Sequence, residues 1–180
     1  MKKAFVVLLV VMGLIASAGN VFAVDNVGTA SVKVLTPLAL THSDTDKLNF
    51  GSIGLTGSSG TVIIASVGGV ATRTLSGGVV GYSDTTNPIA LDPFSSSTAL
   101  TGTETYYIGF PDSATISNGS NTMTVSEFKA YDSIGSQITS FSGVSATASF
   151  FVGAKLAIVG TEGAGVYTGT YPVYLGYDAL

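Results

Sequence analysis

VYTGTYPVYLGY, residues Val166 to Tyr177, is an alternating stretch. Tyr167, Gly169, Tyr171, Val173, Leu175 and Tyr177 take the odd positions, and Thr168, Thr170, Pro172, Tyr174 and Gly176 the even ones. Successive strand side chains point to opposite faces, so this spacing gathers an aromatic and aliphatic row on one side. Fully extended, Tyr167 to Tyr177 would span roughly 36 Å, longer than most strands. Pro172 has no N–H to give to a ladder, which predicts a sheet edge or a bulge at that point. The expectation is a half-buried strand that closes a sheet, with Tyr167, Tyr171, Val173, Leu175 and Tyr177 as an apolar face that serves assembly.

The rest of the chain has the same β character. Helical periodicity is absent, and Gly, Ser, Thr, Val and Tyr dominate. Leu48 to Ile53 reads as a short strand with Leu48 and Phe50 on one face, followed by a turn region from Gly54 to Gly60. Thr61 to Val67 has the composition of a buried strand ended by Gly68-Gly69. Ala71–Leu75 and Gly78–Tyr82 suggest a hairpin around Ser76-Gly77. Ile89 to Leu91 is a short strand stopped by Pro93, and Ser95 to Ser97 a surface loop. Thr103 to Phe110 alternates, with Tyr106, Ile108 and Phe110 inward. Ala114 and Ile116 face Met123 and Val125 across Asn118-Gly119, a dipeptide suited to positive φ. Gly135 to Gly143 is a loop or short strand. In Val144 to Val159, Val152, Ala154, Leu156 and Ile158 share a face. About ten short strands at this spacing predict an all-β sandwich of one domain, Val24 to Leu180.

The first twenty-three residues read as a signal peptide: a basic start at Lys2-Lys3, an apolar run from Ala4 to Ala18, and small residues up to a cleavage point after Ala23. The run is shorter than the ~20 residues of a bilayer span, so no membrane span is expected after cleavage. Of the seven basic residues Lys2 and Lys3 fall in this segment, leaving five against eleven acidic ones, a net charge near −6. That balance argues against nucleic acid, which needs a basic face. The chain holds no cysteine and no tryptophan. A secreted domain of this composition must be held by packing, pairing or neighbours rather than disulfides, and it lacks the tryptophan–disulfide core of antibody domains.

Few residues suggest chemistry. His42, the one histidine, stands with Asp44 and Asp46 in a polar stretch from Thr41 to Lys47. A calcium loop wants more oxygens and a glycine turn, so the expectation is a solvated loop without metal. No Gly-x-Ser-x-Gly elbow presents a serine, and no glycine-rich stretch has the lysine and helix of a phosphate loop. Neither catalysis nor a cofactor is expected. Exposed tyrosines such as Tyr174 could stack on sugar rings, though ordinary strand residues explain them as well.

Val24 to Val34 forms a short apolar row (Ala30, Val32, Val34) that ends before Pro37. It stands as a first strand of its own domain or as a donor strand for a neighbour, the candidate segment being 24–35.

Several stretches together resemble the exported bacterial β-domains grouped as domain of unknown function 4402, distantly similar to spore coat protein U and fimbrial subunits. They are Leu48-Asn49-Phe50-Gly51-Ser52-Ile53, Tyr107-Ile108-Gly109-Phe110-Pro111 with Asn118-Gly119, Phe151 to Leu156, and Gly165 to Tyr171 running on to Tyr177. The resemblance implies an immunoglobulin-like, pilin-like sandwich at the cell surface and supplies no catalytic residues. Usher-type pilins commonly hold one disulfide, which this chain lacks. The expected function is a structural subunit of an extracellular pilus-like fibre or coat, assembled by strand complementation. A surface adhesin or carbohydrate-binding module is the alternative. Partners would be further copies or related surface subunits, with a periplasmic chaperone as a candidate helper.

Overall fold

The computed structural model describes Val32 and residues 38–43, 46–97, 104–142 and 147–177. The chain divides into two units, Met1–Thr36 and Pro37–Leu180. The fold below is that of the second.

It is built outward from β10 (Ser149–Ile158). Phe150, Val152, Ala154, Leu156 and Ile158 are all buried, as the alternation predicts. One edge of β10 pairs with β7 (Thr122–Tyr131). The other edge is shared: β4 (Asp92–Ser96) takes Ser149 to Val152, and β2 (Ile53–Val67) takes Ala154 to Ile158. Gly153 marks the changeover, where a Cβ would stand 2.3 Å from the Ile64 carbonyl oxygen. Any larger residue would push β2 away, so the branch in the sheet depends on this glycine.

The flanks follow from that spine. β1 (Leu40–His42) pairs with β4, and β3 (Val70–Gly81) with β2. β6 (Ser113–Ser117) and β8 (Gln137–Ile138) divide the far edge of β7, completing an eight-stranded sheet. A three-stranded sheet, in the order β11 (Tyr174–Gly176), β5 (Thr105–Gly109), β9 (Ser140–Ser142), makes the other layer. Every pairing is antiparallel and no helix occurs among the described residues. The eleven strands therefore form the expected all-β, sandwich-like arrangement. The chain passes between sheets at Thr139, whose carbonyl accepts the Ile108 N–H at 2.9 Å. Between the layers lies the main core, with Phe141 and Phe150 rings 5.9 Å apart.

One extra residue in β7 resets its facing. Met123 and Val125 are buried at odd positions, Phe128 and Ala130 at even ones. The register against β10 shifts between Gly153 and Lys155, and Glu127 there has φ 51°. A bulge inserts one residue on one strand and twists it, which here lets both halves of β7 face the core.

Several loops expected from the sequence are strands. Gly54 to Gly60 lies inside β2, opposite an irregular register with β3. β3 runs unbroken through Ser76-Gly77, and the hairpin turns at Gly68-Gly69 instead. Pro93, Ser95 and Ser96 belong to β4, in which β10 pairs with Asp92 to Ser95 and β1 with Phe94 to Ser96. Thr41 and His42 belong to β1. Leu48 and Phe50 both pack on the core as expected, but around a single bridge from Asn49 to Ala90 rather than within a strand. The Ala114–Val125 and Ile116–Met123 pairs are as expected, with Asn118 Oδ1 accepting the N–H groups of Ser120 and Asn121.

Candidate assembly surface

The closing stretch is organised differently from a strand. Only Tyr174–Gly176 ladders, against Gly109 to Tyr107 of β5, and a lone bridge joins Thr168 to Ser117. Among the described residues no backbone hydrogen bond is made from Gly169 to Val173. Pro172, without an N–H, stands in this gap.

The side chains nevertheless alternate as the sequence predicts. Thr168, Thr170, Pro172 and Tyr174 are exposed, while Tyr167, Tyr171, Val173, Leu175 and Tyr177 are half-buried. Tyr167 donates its hydroxyl to the Gly163 carbonyl at 2.7 Å. The Tyr171 ring stacks on Phe128 at 4.8 Å and meets Phe94 edge-on at 6.5 Å. Val173 joins the main core. Leu175 and Tyr177 close a smaller cluster around Tyr106 and Ala148, the Tyr106 and Tyr177 rings being 5.2 Å apart.

The gap is pinned by a carboxylate that the sequence did not reveal. Asp92, at the start of β4, is only 3% exposed. Its Oδ2 accepts the Tyr171 hydroxyl, and its Oδ1 lies 2.6 Å from Nε2 of His42. The His42 ring also packs on Phe94, centroids 4.8 Å apart. A buried carboxylate is costly without partners, and here both oxygens have one. Burial first, then the facing Asp92 carboxylate, raises the Tyr171 phenol far above its ordinary value, so its proton stays in place. His42 is thus a strand residue tied to the interior, not part of a solvated loop. Asp46 is exposed, and Asp44 lies outside the described residues. No group of three or more His, Cys, Asp or Glu able to hold a metal occurs among the described residues. Sequence offered no route to Asp92, because its partners are 50 and 79 residues away.

Two further carboxylates serve local order. Asp84 accepts the Ser52 hydroxyl at 2.7 Å, and the Thr86 hydroxyl and N–H at 2.7 and 2.9 Å, which lower its pKa from 3.8 to about 2. Glu127, in the β7 bulge, is held below its ordinary value by the hydrogen bond and charge of Lys155, whose Nζ is 2.7 Å away.

Of the candidate donor residues, Ala30 and Val34 lie outside the described residues, and Val32 is 86% exposed. Fold and site together define an antiparallel β-sandwich domain. More narrowly, the chain belongs to the family described as Domain of unknown function (DUF4402), whose model matches residues 40–177. No curated protein and no solved structure matches it.

Proposed function

We propose that this chain is a structural subunit of an extracellular surface fibre or coat, secreted through its N-terminal segment and assembled by β-strand addition. The observation that carries the reading is the backbone gap from Gly169 to Val173, beside side chains already seated on the core. A strand added there would meet amide and carbonyl groups that, Pro172's missing N–H apart, have no backbone partner among the described residues, and backbone pairing of that kind supplies affinity with little sequence demand. The added strand is Val24–Val34 of a neighbouring copy. Val32 is open to solvent, and burying a valine is worth about 1.5–3 kcal/mol.

The test compares the mature chain with two variants. Val32→Asp should abolish filaments on negative-stain electron microscopy while the monomer keeps its thermal unfolding midpoint. A chain beginning at Thr36 should stay unpolymerised and recover assembly when a Val24–Val34 peptide is supplied. If Val32→Asp unfolds an isolated monomer that is otherwise stable, the segment is an internal first strand and donation is wrong. Diffuse antibody labelling of the cell surface with sugar-dependent elution would favour a non-polymerising adhesin.

A further inference from the structure

The longest strand paired on one side only, among the described residues, is β3. β3 is twelve residues long and pairs, among the described residues, only with β2. Its hairpin closes through Gly68 and Gly69 with φ of 60° and 81°, the two-residue turn whose flanking residues, Val67 and Val70, exchange backbone hydrogen bonds. Antiparallel ladders alternate, so Val70, Thr72, Thr74 and Ser76 bond inward to β2. Ala71, Arg73, Leu75 and Gly77 then present their N–H and C=O groups to the open side. Past the irregularity the Tyr82 N–H bonds the Ser52 carbonyl, which leaves Val79 and Gly81 facing outward as well.

Natural edges of this length are blunted by lysine, proline or an inward-pointing charge. β3 has neither lysine nor proline. Its one charge, Arg73, stands in the inward row and is held within its own sheet, donating to the carbonyls of Phe50, Ser52 and Tyr82 at 3.0–3.2 Å. The solvent side adds apolar surface, with Val70 65% and Val80 45% exposed.

We infer that the β3 edge is an interaction surface for a second copy of this chain, pairing antiparallel with its own counterpart across a two-fold axis at Leu75. The choice of axis follows from both faces of the strand. With Leu75 opposite Leu75 of the other copy, Ala71 meets Val79 and Arg73 meets Gly77. The row that packs inward (Ala71, Leu75, Val79) thereby continues from one subunit into the next. On the solvent side Val70 meets Val80, so the two exposed valines cover each other. Moving the axis by one residue to Thr74 would set Arg73 against Leu75 and Val70 against Gly78, losing both matches. An isologous contact of this kind closes on itself and makes a dimer. It is independent of donation by Val24–Val34, which joins subunits through another edge.

The register is readable by disulfide trapping in a chain that has no cysteine of its own. Thr74 and the other copy's Ser76 form a pair that does not exchange hydrogen bonds, in which Cα atoms lie about 4.5 Å apart, within disulfide reach. Mature Thr74→Cys and Ser76→Cys proteins, mixed under mild oxidation, should give a cross-linked dimer several-fold in excess of either alone. Light scattering should show a concentration-dependent dimer of the unmodified mature chain. Val70→Lys with Val80→Lys should leave a monomer with unchanged circular dichroism. The same mixture with Val32→Asp added to both cysteine variants should still cross-link, even where Val32→Asp abolishes filaments. No cross-link in the mixture, cross-linking of Thr74→Cys alone, or a lysine variant that dimerises normally would overturn the inference. So would loss of the cross-link when both cysteine variants carry Val32→Asp, which would route all association through the donor segment.

Discussion

β10 and the closing stretch Tyr167–Tyr177 have the same pattern in sequence and opposite fates in the backbone. Both alternate, and in both the apolar positions turn toward the core. β10 is laddered along both edges, to β7 on one side and to β4 and β2 on the other. The closing stretch ladders over three residues and leaves the backbone of Gly169 to Val173 without hydrogen-bond partners among the described residues. Alternation therefore reports where side chains go, and the ladder depends on what stands beside the strand. A segment can be half-buried through its side chains while its backbone remains available.

The widest separation between the two regions should come from Phe150→Ala. Phe150 is 1% exposed and lies between Phe94 and Phe141. Truncation there should cost about 3–5 kcal/mol, measured by urea unfolding. A loss under 1 kcal/mol would mean that β10 is not the packing centre.

Tyr171→Phe should come next. It keeps the ring on Phe128 and removes only the hydroxyl on Asp92, so the loss should be about 1–3 kcal/mol, the cost of an unpartnered buried oxygen. The same variant separates the regions by pH. Tyr171 and Tyr131, the latter paired with Phe151 of β10, both have phenols raised above 10.0, Tyr131 by burial alone. A raised folded value means that the folded state holds the proton more tightly. Stability from these groups is complete below pH 10.0 and falls as pH rises beyond it. Tyr171→Phe should remove the larger part of that alkaline decline, read as unfolding midpoints between about pH 9 and pH 11. An unchanged slope would show that the Tyr171 phenol is not buried beside Asp92.

The smallest effect belongs to the solvent face. Thr170→Ala lies in the unladdered gap, exposed, and should change stability by no more than about 0.5 kcal/mol. A cost above 1 kcal/mol in urea would mean that Thr170 is engaged and the gap is not free.

The sequence was most readable where one strand's pattern meets another's. β10, β5 and the β6–β7 pair were legible because apolar positions faced apolar positions and Asn118-Gly119 marked the turn between them. β3 was not, since Ser76-Gly77-Gly78 has the composition of a turn. There the glycines serve a close approach instead: a Cβ on Gly77 or Gly78 would stand 2.3 Å from a carbonyl oxygen of Ser59 or Ser58. β4 was hidden by its serines and Pro93, whose strand character depends on β1 and β10 at either side. The bulge at Glu127 left a trace, the switch from odd to even burial, which reads as an interruption until its partner strand is known. Of the candidate site, the apolar face of the closing stretch was legible. The Asp92 pin and the free edge of β3 were not, because both are relations between distant segments.

The carboxylate of Asp92 also sets an order of events. A chain synthesised from its N-terminus carries His42 and Asp92 long before Tyr171 exists, 79 residues further on. β2 and β4 likewise wait for β10, since it supplies an edge to each. Until the last residues arrive, the β2–β3 hairpin and the β1–β4 pair have no central strand to join them, and Asp92 has no Tyr171 hydroxyl to accept. Contacts so distant in sequence make folding slow. The eight-stranded sheet and the Asp92 pin are accordingly completed only once β10 and the closing stretch have been made.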